Sequence, residues 1–316
     1  MKESLNIERC LLVGNPNCGK SSLFNHLTGL KQKTGNFQGV TVEKLSGFVE
    51  KNSSKVEIID LPGSFSLGGN SEDKLVLTRF LMNRNTDDKI IFVMDALLME
   101  RSLQFFFQIA DLGIPMILVL TMKDLLNKKH IQIDINKLEK ELGMEICLVN
   151  SKNGEGVDNL KDKLFDSAHF HNPGRIWKWD KKRESFLEQV LKKIKTDNIE
   201  SVRFVLSNIL KELSGESLQT DLPGLKIISR ESSDYIKKSL EKSGLKFTYQ
   251  DELIARSSKI KNIIAKTISG NNSQKQKTFP ALDKVLLHPV YGVIAFLTFM
   301  AIIFQGCSPG RKFQWR

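Results

Sequence analysis

The chain has 316 residues, of which 41% are hydrophobic and 26% charged, and its formal net charge is +11. This length accommodates two domains with their own cores, and the composition excludes a wholly disordered protein. A surplus of basic residues predicts either a nucleic-acid partner or a protein face held beside anionic lipid.

The cysteines and the N-terminus indicate a cytosolic location for the first part of the chain. Residues 1–9 are rich in charge and lack the apolar core of a cleavable signal peptide. Four cysteines are scattered without metal-ligand spacing, which predicts reduced thiols rather than a disulfide framework: Cys10, Cys18, Cys147 and Cys307.

The hydrophobic pattern predicts two kinds of structure in succession. Short apolar runs alternate with helical stretches up to residue 167, at residues 10–13, 56–59, 90–94, 116–120 and 146–149. This alternation is typical of an α/β domain with a mainly parallel sheet. From about residue 177, apolar residues recur at spacing four, as at Phe186, Val190 and Ile194, which predicts an all-helical segment. Three glycines are expected to cap helices there: Gly215, Gly244 and Gly270.

The C-terminal part predicts a membrane helix. Residues 285–310 contain no Asp, Glu, Lys or Arg, and the apolar stretch reaches the roughly 18 residues that a span requires. Seven bases and a single acid lie between Arg256 and Lys284, directly before it, which favours a membrane over nucleic acid and puts the N-terminal side on the cytoplasmic face. The alternative is a buried helix of a soluble core, which His288 and Pro289 near its start favour.

Residues 14–21 match the phosphate-binding pattern G-x-x-x-x-G-K-[ST] between a predicted strand and a predicted helix. Backbone amides of such a loop surround a β-phosphate, the lysine adds a cation, and the serine hydroxyl ligates magnesium. The predicted phosphate-site residues are Gly14, Asn15, Pro16, Asn17, Cys18, Gly19, Lys20, Ser21 and Ser22.

A second phosphate motif, D-x-x-G, follows the apolar run at residues 56–59. Its aspartate is expected to hold the magnesium shell and its glycine amide to meet the γ-phosphate. Between the two motifs, Thr41 is predicted to fold over magnesium and the γ-phosphate; the alternative is an exposed strand threonine. The residues concerned are Gly39, Val40, Thr41, Asp60, Leu61, Pro62 and Gly63, and we expect Lys20, Thr41 and Gly63 to act in catalysis.

Residues 121–124 occupy the position of the guanine-specificity motif N-K-x-D and read Thr121, Met122, Lys123 and Asp124. The carboxylate of Asp124 can accept two hydrogen bonds that guanine donates and adenine does not. Thr121 stands where asparagine is usual, which leaves weaker affinity or adenine selectivity open. After the next strand, Ser151, Lys152 and Asn153 are expected to present a backbone amide to the guanine oxygen.

Several stretches together resemble the family of the ferrous iron transporter FeoB. They are residues 14–20, the run Thr-Gly-Asn-Phe-Gln-Gly-Val-Thr-Val-Glu at 34–43, the run Asp-Leu-Pro-Gly-Ser-Phe-Ser-Leu at 60–67, residues 95–96, residues 99–103, residues 112–115, and Leu-His-Pro-Val-Tyr-Gly at 287–292. The resemblance implies a G domain at 1–167, a regulatory helical domain at 168–270, a basic linker at 271–284, a transmembrane helix at 285–305 and a short tail at 306–316. Proteins of this family continue through further membrane helices, so the chain is expected to be a fragment or frameshift product that does not transport iron alone.

The resemblance also implies ligands and partners. GTP or GDP with Mg²⁺ would be the cofactors, and Asn17 would help to hold K⁺ beside the phosphates. Ser64 replaces the usual glutamine after Gly63, which predicts slow hydrolysis. Expected partners are the inner membrane, pore-forming helices outside this chain, a small cytosolic regulator and a second copy of the chain, without nucleic acid. Two alternatives stay open: a nucleotide-dependent binding or gating module with incidental hydrolysis, and a ribosome- or RNA-associated GTPase.

Overall fold

The computed structural model describes residues 8–29, 32–37, 43–52, 54–67, 71–122, 125–126, 131–194, 199–215, 230–270 and 288–307. Its strands are β1 (Glu8–Gly14), β2 (Gln32–Asn36), β3 (Glu43–Lys51), β4 (Ser54–Asp60), β5 (Lys89–Asp95), β6 (Met116–Thr121), β7 (Ile131–Ile133), β8 (Ile146–Leu148) and β9 (Ile268–Gly270). Its α-helices are α1 (Lys20–Thr28), α2 (Glu72–Met82), α3 (Met99–Ala110), α4 (Ile135–Leu142), α5 (Val157–Leu164), α6 (Lys181–Lys193), α7 (Ile199–Leu213), α8 (Arg230–Ser243), α9 (Tyr249–Thr267) and α10 (Tyr291–Cys307).

Seven strands form one sheet in the order β2-β3-β4-β1-β5-β6-β8. Five of these strands are parallel to one another, namely β4, β1, β5, β6 and β8, whereas β2 and β3 are antiparallel additions at one edge. Helices cover both faces, so the central strands are apolar on both sides, as Leu11 to Val13 are in β1. The predicted α/β class and its mainly parallel sheet are confirmed.

Each face of the sheet has its own hydrophobic core. One core contains Leu23 and Phe24 of α1 together with Leu160 of α5. The other lies under α2 and α3 and continues without interruption through Trp177 and Trp179 into the helices α6 to α9. Residues 1–270 accordingly form one compact unit, and the division predicted at residues 167 and 168 stays a prediction.

The predicted helical segment is present as α6 to α9, and its ends follow the glycine pattern in two of three places. Gly215 and Gly244 have φ of 94° and 65°, the left-handed conformation that only glycine adopts at no steric cost. The prediction for Gly270 is wrong, because α9 ends at Thr267 and Gly270 belongs to β9. There the backbone pairs with β7 in a second, two-stranded antiparallel sheet.

Residues 271–316 form a second compact unit, in which α10 is described. The imidazole Nδ1 of His288 accepts a hydrogen bond from the Val290 amide at 3.2 Å, just before this helix begins. Across the described residues, no helix combines the length and the apolar character needed to cross a membrane. The predicted linker at 271–284 and residues 285–287 of the predicted span lie outside the described residues.

Candidate nucleotide-binding site

The candidate site is built at the carboxyl edge of the parallel strands. β1 ends at Gly14, β4 at Asp60, β6 at Thr121 and β8 just before the loop that holds Ser151. Because parallel strands bring their carboxyl ends to one edge, four of the predicted motifs converge there. The first of them, the phosphate loop, follows the central strand β1. The strands β4 and β5, which come later in the chain, lie on opposite sides of β1 in the sheet.

Two glycines of the phosphate loop are required by their surroundings. Gly19 has φ of 87°, and a Cβ added to it would lie 2.5 Å from the Ser151 hydroxyl oxygen. A Cβ on Gly14 would lie 2.5 Å from the Val93 carbonyl oxygen. These close approaches let the loop turn sharply between β1 and α1. Asn17 also takes a left-handed conformation, with φ of 63°, and its side chain is exposed.

Backbone and side-chain hydrogen bonds join the phosphate loop to the D-x-x-G loop. The Ser64 amide donates to the Gly14 carbonyl at 3.1 Å, and the Asn15 amide nitrogen Nδ2 donates to the Ser64 carbonyl at 3.1 Å. Gly63 faces the backbone of Pro16, since a Cβ there would lie 3.2 Å from the proline nitrogen and Cα. The two phosphate motifs therefore form one connected structure.

Lys20 and Asp60 form an ion pair beneath these loops. The Lys20 ammonium donates to Asp60 Oδ1 and, at 2.7 Å, to the Leu61 carbonyl. Both residues are buried. Burial raises the pKa of Asp60, and the neighbouring Lys20 charge opposes that rise. Asp60 with the exposed Ser21 hydroxyl supplies the hard oxygen donors that Mg²⁺ prefers, so these residues fit the predicted metal.

Thr121 lies under the phosphate loop rather than on its surface. Its side chain is fully buried, and its hydroxyl donates to the Cys18 carbonyl at 2.6 Å while lying 3.2 Å from the Met94 carbonyl. The hydroxyl thus connects the end of β6 to the loop. Burial raises the pKa of the Cys18 thiol to about 11, which keeps that thiol neutral.

The loop after β8 is a compact turn. The Lys152 amide donates to Asn150 Oδ1 at 3.0 Å, and the Glu155 amide donates to Asn153 Oδ1 at 3.1 Å. Ser151 is buried against Gly19, as the close approach above requires. Met122, at the end of β6, has φ of 63°, a conformation uncommon for residues other than glycine. The described part of the chain thus brings together Gly14 to Ser22, Asp60 to Gly63, Thr121, and the turn at Ser151.

Five predicted site residues lie outside the described part of the chain, and their roles stay predictions: Gly39, Val40, Thr41, Lys123 and Asp124. Two contributing residues escaped sequence reasoning. Asn150 organises the turn that contains Ser151, and its only signal is an Asn shortly after a strand. Gln108 of α3 accepts a hydrogen bond from the Leu67 amide at 2.6 Å, and its signal is a single amide within the apolar run Phe-Phe-Phe-Gln-Ile-Ala.

A mainly parallel sheet with this phosphate loop after β1, D-x-x-G after β4 and the predicted base-recognition positions after β6 and β8 defines a P-loop GTPase domain. Residues 8–164 match the profile of the family described as ferrous iron transport protein B. The chain belongs to the FeoB family, which confirms the resemblance noted in its motifs.

Curated relatives and solved structures agree with this assignment. The chain is 48% identical over 297 residues to the Fe(2+) transporter FeoB of Leptospira interrogans serovar Lai, a match that covers 94% of this chain and 42% of that protein. The corresponding protein of Leptospira biflexa is 45% identical over 93% of this chain and 42% of its own length. The chain therefore spans about 42% of the length of these relatives.

Two solved structures have the same fold. One is a mutant of S. thermophilus NFeoB bound to GDP, with TM-score 0.69, 29% identity, and 83% of this chain and 100% of that chain covered. The other is the T. maritima FeoB cytosolic domain in apo form, with TM-score 0.64, 29% identity, and 84% and 100% covered.

Proposed function

We propose that the chain binds GTP and GDP with magnesium and hydrolyses GTP slowly, as the cytosolic nucleotide switch of a ferrous iron transporter. The observation that carries this proposal is that hydrogen bonds connect the phosphate loop to its neighbours. Lys20 of the loop pairs with Asp60 of D-x-x-G, and the Thr121 hydroxyl donates to the Cys18 carbonyl of the loop. Relatives whose structures are described as bound to GDP or in a GMPPNP form support the choice of nucleotide.

Each part of the site has a role in this proposal. Amides of the loop from Gly14 to Ser22 surround the polyphosphate, and Lys20 neutralises part of its charge. Ser21, Asp60 and Thr41 would hold magnesium, whose positive charge would balance that of the phosphate oxygens. The Gly63 amide meets the γ-phosphate.

The base would be recognised at the ends of β6 and β8. Asp124 would select guanine by accepting two hydrogen bonds from its edge, and Met122 and Lys123 belong to the same proposed base site. The turn of Ser151, Lys152 and Asn153 offers backbone amides to the guanine oxygen. Its internal hydrogen bonds favour this role, because a turn that is already ordered loses little entropy when a ligand binds.

Slow hydrolysis follows from the residue after Gly63. The Ser64 hydroxyl donates to the Ser66 carbonyl at 2.7 Å, so it is engaged within its own loop and does not orient an attacking water. We propose that K⁺ held with the help of Asn17 supplies charge stabilisation in the transition state. The exposed side chain of Asn17 beside the phosphate loop is compatible with this role.

The proposed role of this chain in iron uptake requires further parts of a longer protein. The curated relatives are named Fe(2+) transporters, and we propose that this chain is their cytosolic portion, held at the cytoplasmic face of the inner membrane by residues 285–305. Residues 168–270 would damp nucleotide release, and the iron path would lie in membrane helices outside this chain. A small cytosolic regulator and a second copy of the chain are the further partners in this proposal.

Turnover of GTP by the whole chain, measured in potassium and in sodium, tests the catalytic part. Faster turnover in potassium, lost in Asn17→Ala and kept in the exposed control Asn36→Ala, is the expected result. Equal rates in the two salts remove the cation from Asn17. A GTP turnover rate that no cation or partner changes favours the alternative of a binding module with incidental hydrolysis. In a separate test by membrane fractionation, release of the chain from membranes by salt wash alone contradicts the proposed span.

A further inference from the structure

Helix α3 (Met99–Ala110) has a polar stripe, which we define as Gln104, Gln108 and the residue that caps its C-terminus, Asp111. These residues are spaced four and three apart, so they lie on one face, along about 10 Å of helix. Most of α3 is apolar and buried, with Phe105, Phe106 and Phe107 fully shielded from solvent. Polar groups in such a place are stable only when they are hydrogen-bonded.

The middle of the polar stripe contacts the loop that follows the D-x-x-G motif. Gln108 is 7% exposed, and its side-chain oxygen Oε1 accepts a hydrogen bond from the Leu67 amide at 2.6 Å. Leu67 follows the D-x-x-G motif by four residues, in the loop whose Gly63 amide is proposed to meet the γ-phosphate. Nearby, the Arg101 guanidinium lies 3.8 Å from the ring centroid of Phe65 in the same loop. The helix therefore holds this loop at two points.

The two ends of the polar stripe contact the helical segment. Gln104 Nε2 donates to the Ser257 hydroxyl at 2.8 Å. The Asp111 carboxylate accepts from Trp177 Nε1 at 2.9 Å and from Arg256 at 3.2 Å. Arg256 also lies over the Trp177 ring, 4.7 Å from its centroid. One face of one helix thus joins the loop after D-x-x-G to α9 and to the tryptophan before α6.

We propose that Gln108 is a positioning residue that ties the loop after D-x-x-G to α3, and that the polar stripe transmits the identity of the bound nucleotide to the surroundings of Trp177. This inference rests on the proposed function, because it requires that the site takes up both GDP and GTP. A γ-phosphate that draws the Gly63 amide inward also moves Leu67. The buried Gln108 amide follows, since losing its partner in an apolar setting is costly.

The tryptophans provide the readout. Trp177 and Trp179 are buried just before α6, and we call them the junction residues. The third tryptophan of the chain is Trp315. In a Trp315→Phe background of the whole chain, intrinsic fluorescence reports only the two junction residues. We expect different emission with GDP and with a non-hydrolysable GTP analogue, each at saturation with magnesium. Binding of both nucleotides is measured separately with radiolabelled ligand.

Gln108→Met removes the acceptor while preserving side-chain length. It should reduce the emission difference between the two nucleotides by about threefold or more, with affinities changed by less than about threefold. The matched control is Gln132→Met, the same change at an exposed position of β7, which should leave the difference intact. An undiminished difference in Gln108→Met overturns the role of Gln108.

A second measurement needs no variant and covers the case in which Gln108→Met does not fold. Hydrogen exchange of the unsubstituted chain should change between GDP and the analogue both at residues 64–67 and at residues 175–179. A change at 64–67 alone, or equal emission with both nucleotides bound, overturns the transmission. Failure to bind either nucleotide overturns the proposed function itself, and this inference with it.

Discussion

Lys20 and Asp60, the lysine of the phosphate loop and the aspartate of D-x-x-G, are joined in a buried ion pair. Their side chains are only 10% and 9% exposed, so water screens the pair little. In the proposed function each residue serves a different ligand, the lysine the phosphates and the aspartate magnesium. Under that proposal we expect the pair to loosen when nucleotide and magnesium bind, because Asp60 would then hold magnesium and Lys20 would turn toward the phosphates.

Replacing Asp60 should uncouple nucleotide binding from magnesium. In Asp60→Asn the lysine is no longer held by a full negative charge, so GDP affinity in a chelator should rise by roughly tenfold, equivalent to about 1.4 kcal/mol. The gain in affinity that magnesium gives to the unsubstituted chain should largely disappear. Titration calorimetry with and without chelator measures both quantities. Asp73→Asn, at an exposed position of α2, is the control, and a lower magnesium-free affinity in Asp60→Asn would contradict the linkage.

Thr121 offers a test of the hydrogen bond that supports the phosphate loop. Thr121→Val preserves the shape but leaves the Cys18 carbonyl without its donor, so affinity for GDP should fall by roughly fivefold to thirtyfold, or about 1–2 kcal/mol. Thr121→Ser retains the hydroxyl and should stay close to the unsubstituted chain. Fluorescence titration with labelled GDP compares the three proteins, and equal affinity of the valine and serine variants is the outcome that would refute this role.

We predict that the Asp111 carboxyl makes a pH-dependent contribution to the free energy of unfolding. Burial raises its pKa from 3.8 to about 6, despite the nearby Arg256 and the bond from Trp177. Since the folded state binds this proton more tightly than the unfolded state, the contribution is largest below about pH 4 and is lost as the pH rises through about 6. The melting temperature of the unsubstituted chain minus that of Asp111→Asn should therefore fall between these pH values and then level off. A difference that rises over the same range would contradict this assignment.

Alanine substitutions at Gly156, in the turn after β8, and at Gly174 distinguish the cost of a steric clash from the cost of backbone strain. Gly156 has φ of 83°, and an added Cβ would lie 2.2 Å from the Leu148 carbonyl oxygen, whereas Gly174, with φ of 60°, has open space around it. Gly174→Ala should cost about 1 kcal/mol from strain alone, and Gly156→Ala about 1–3 kcal/mol more. Urea unfolding gives both values. Equal losses would mean that the turn yields to the methyl group.

Much of the sheet was predictable because its strands carry a strong local signal. The runs in β1 and β6 are continuously apolar and each precedes a recognisable motif, so periodicity and motif spacing agree there. β2 and β3 at the sheet edge were not predicted, since Gln32–Asn36 is polar and contains no apolar alternation. β7 and β9 are three residues each, and only their mutual pairing identifies them as strands.

The site was predictable in its motifs and not in its supporting contacts. The phosphate loop has a fixed local pattern, so the positions of Gly14 and Lys20 follow from sequence alone. The Thr121 bond to Cys18 joins residues 103 positions apart, and the Gln108 bond to Leu67 joins residues 41 apart. No local pattern encodes such contacts, because they depend on how helices and loops pack after the sheet has formed.

Equilibrium binding of GDP, GTP and ATP to the purified chain with magnesium tests the central claim most directly. Saturable, one-to-one binding of GDP and GTP is expected, with ATP at least about a hundredfold weaker because adenine offers Asp124 no matching donors. Lys20→Ala should abolish most of the affinity for all three nucleotides. Absence of saturable guanine-nucleotide binding by the folded protein, or affinity that Lys20→Ala leaves unchanged, would contradict the account.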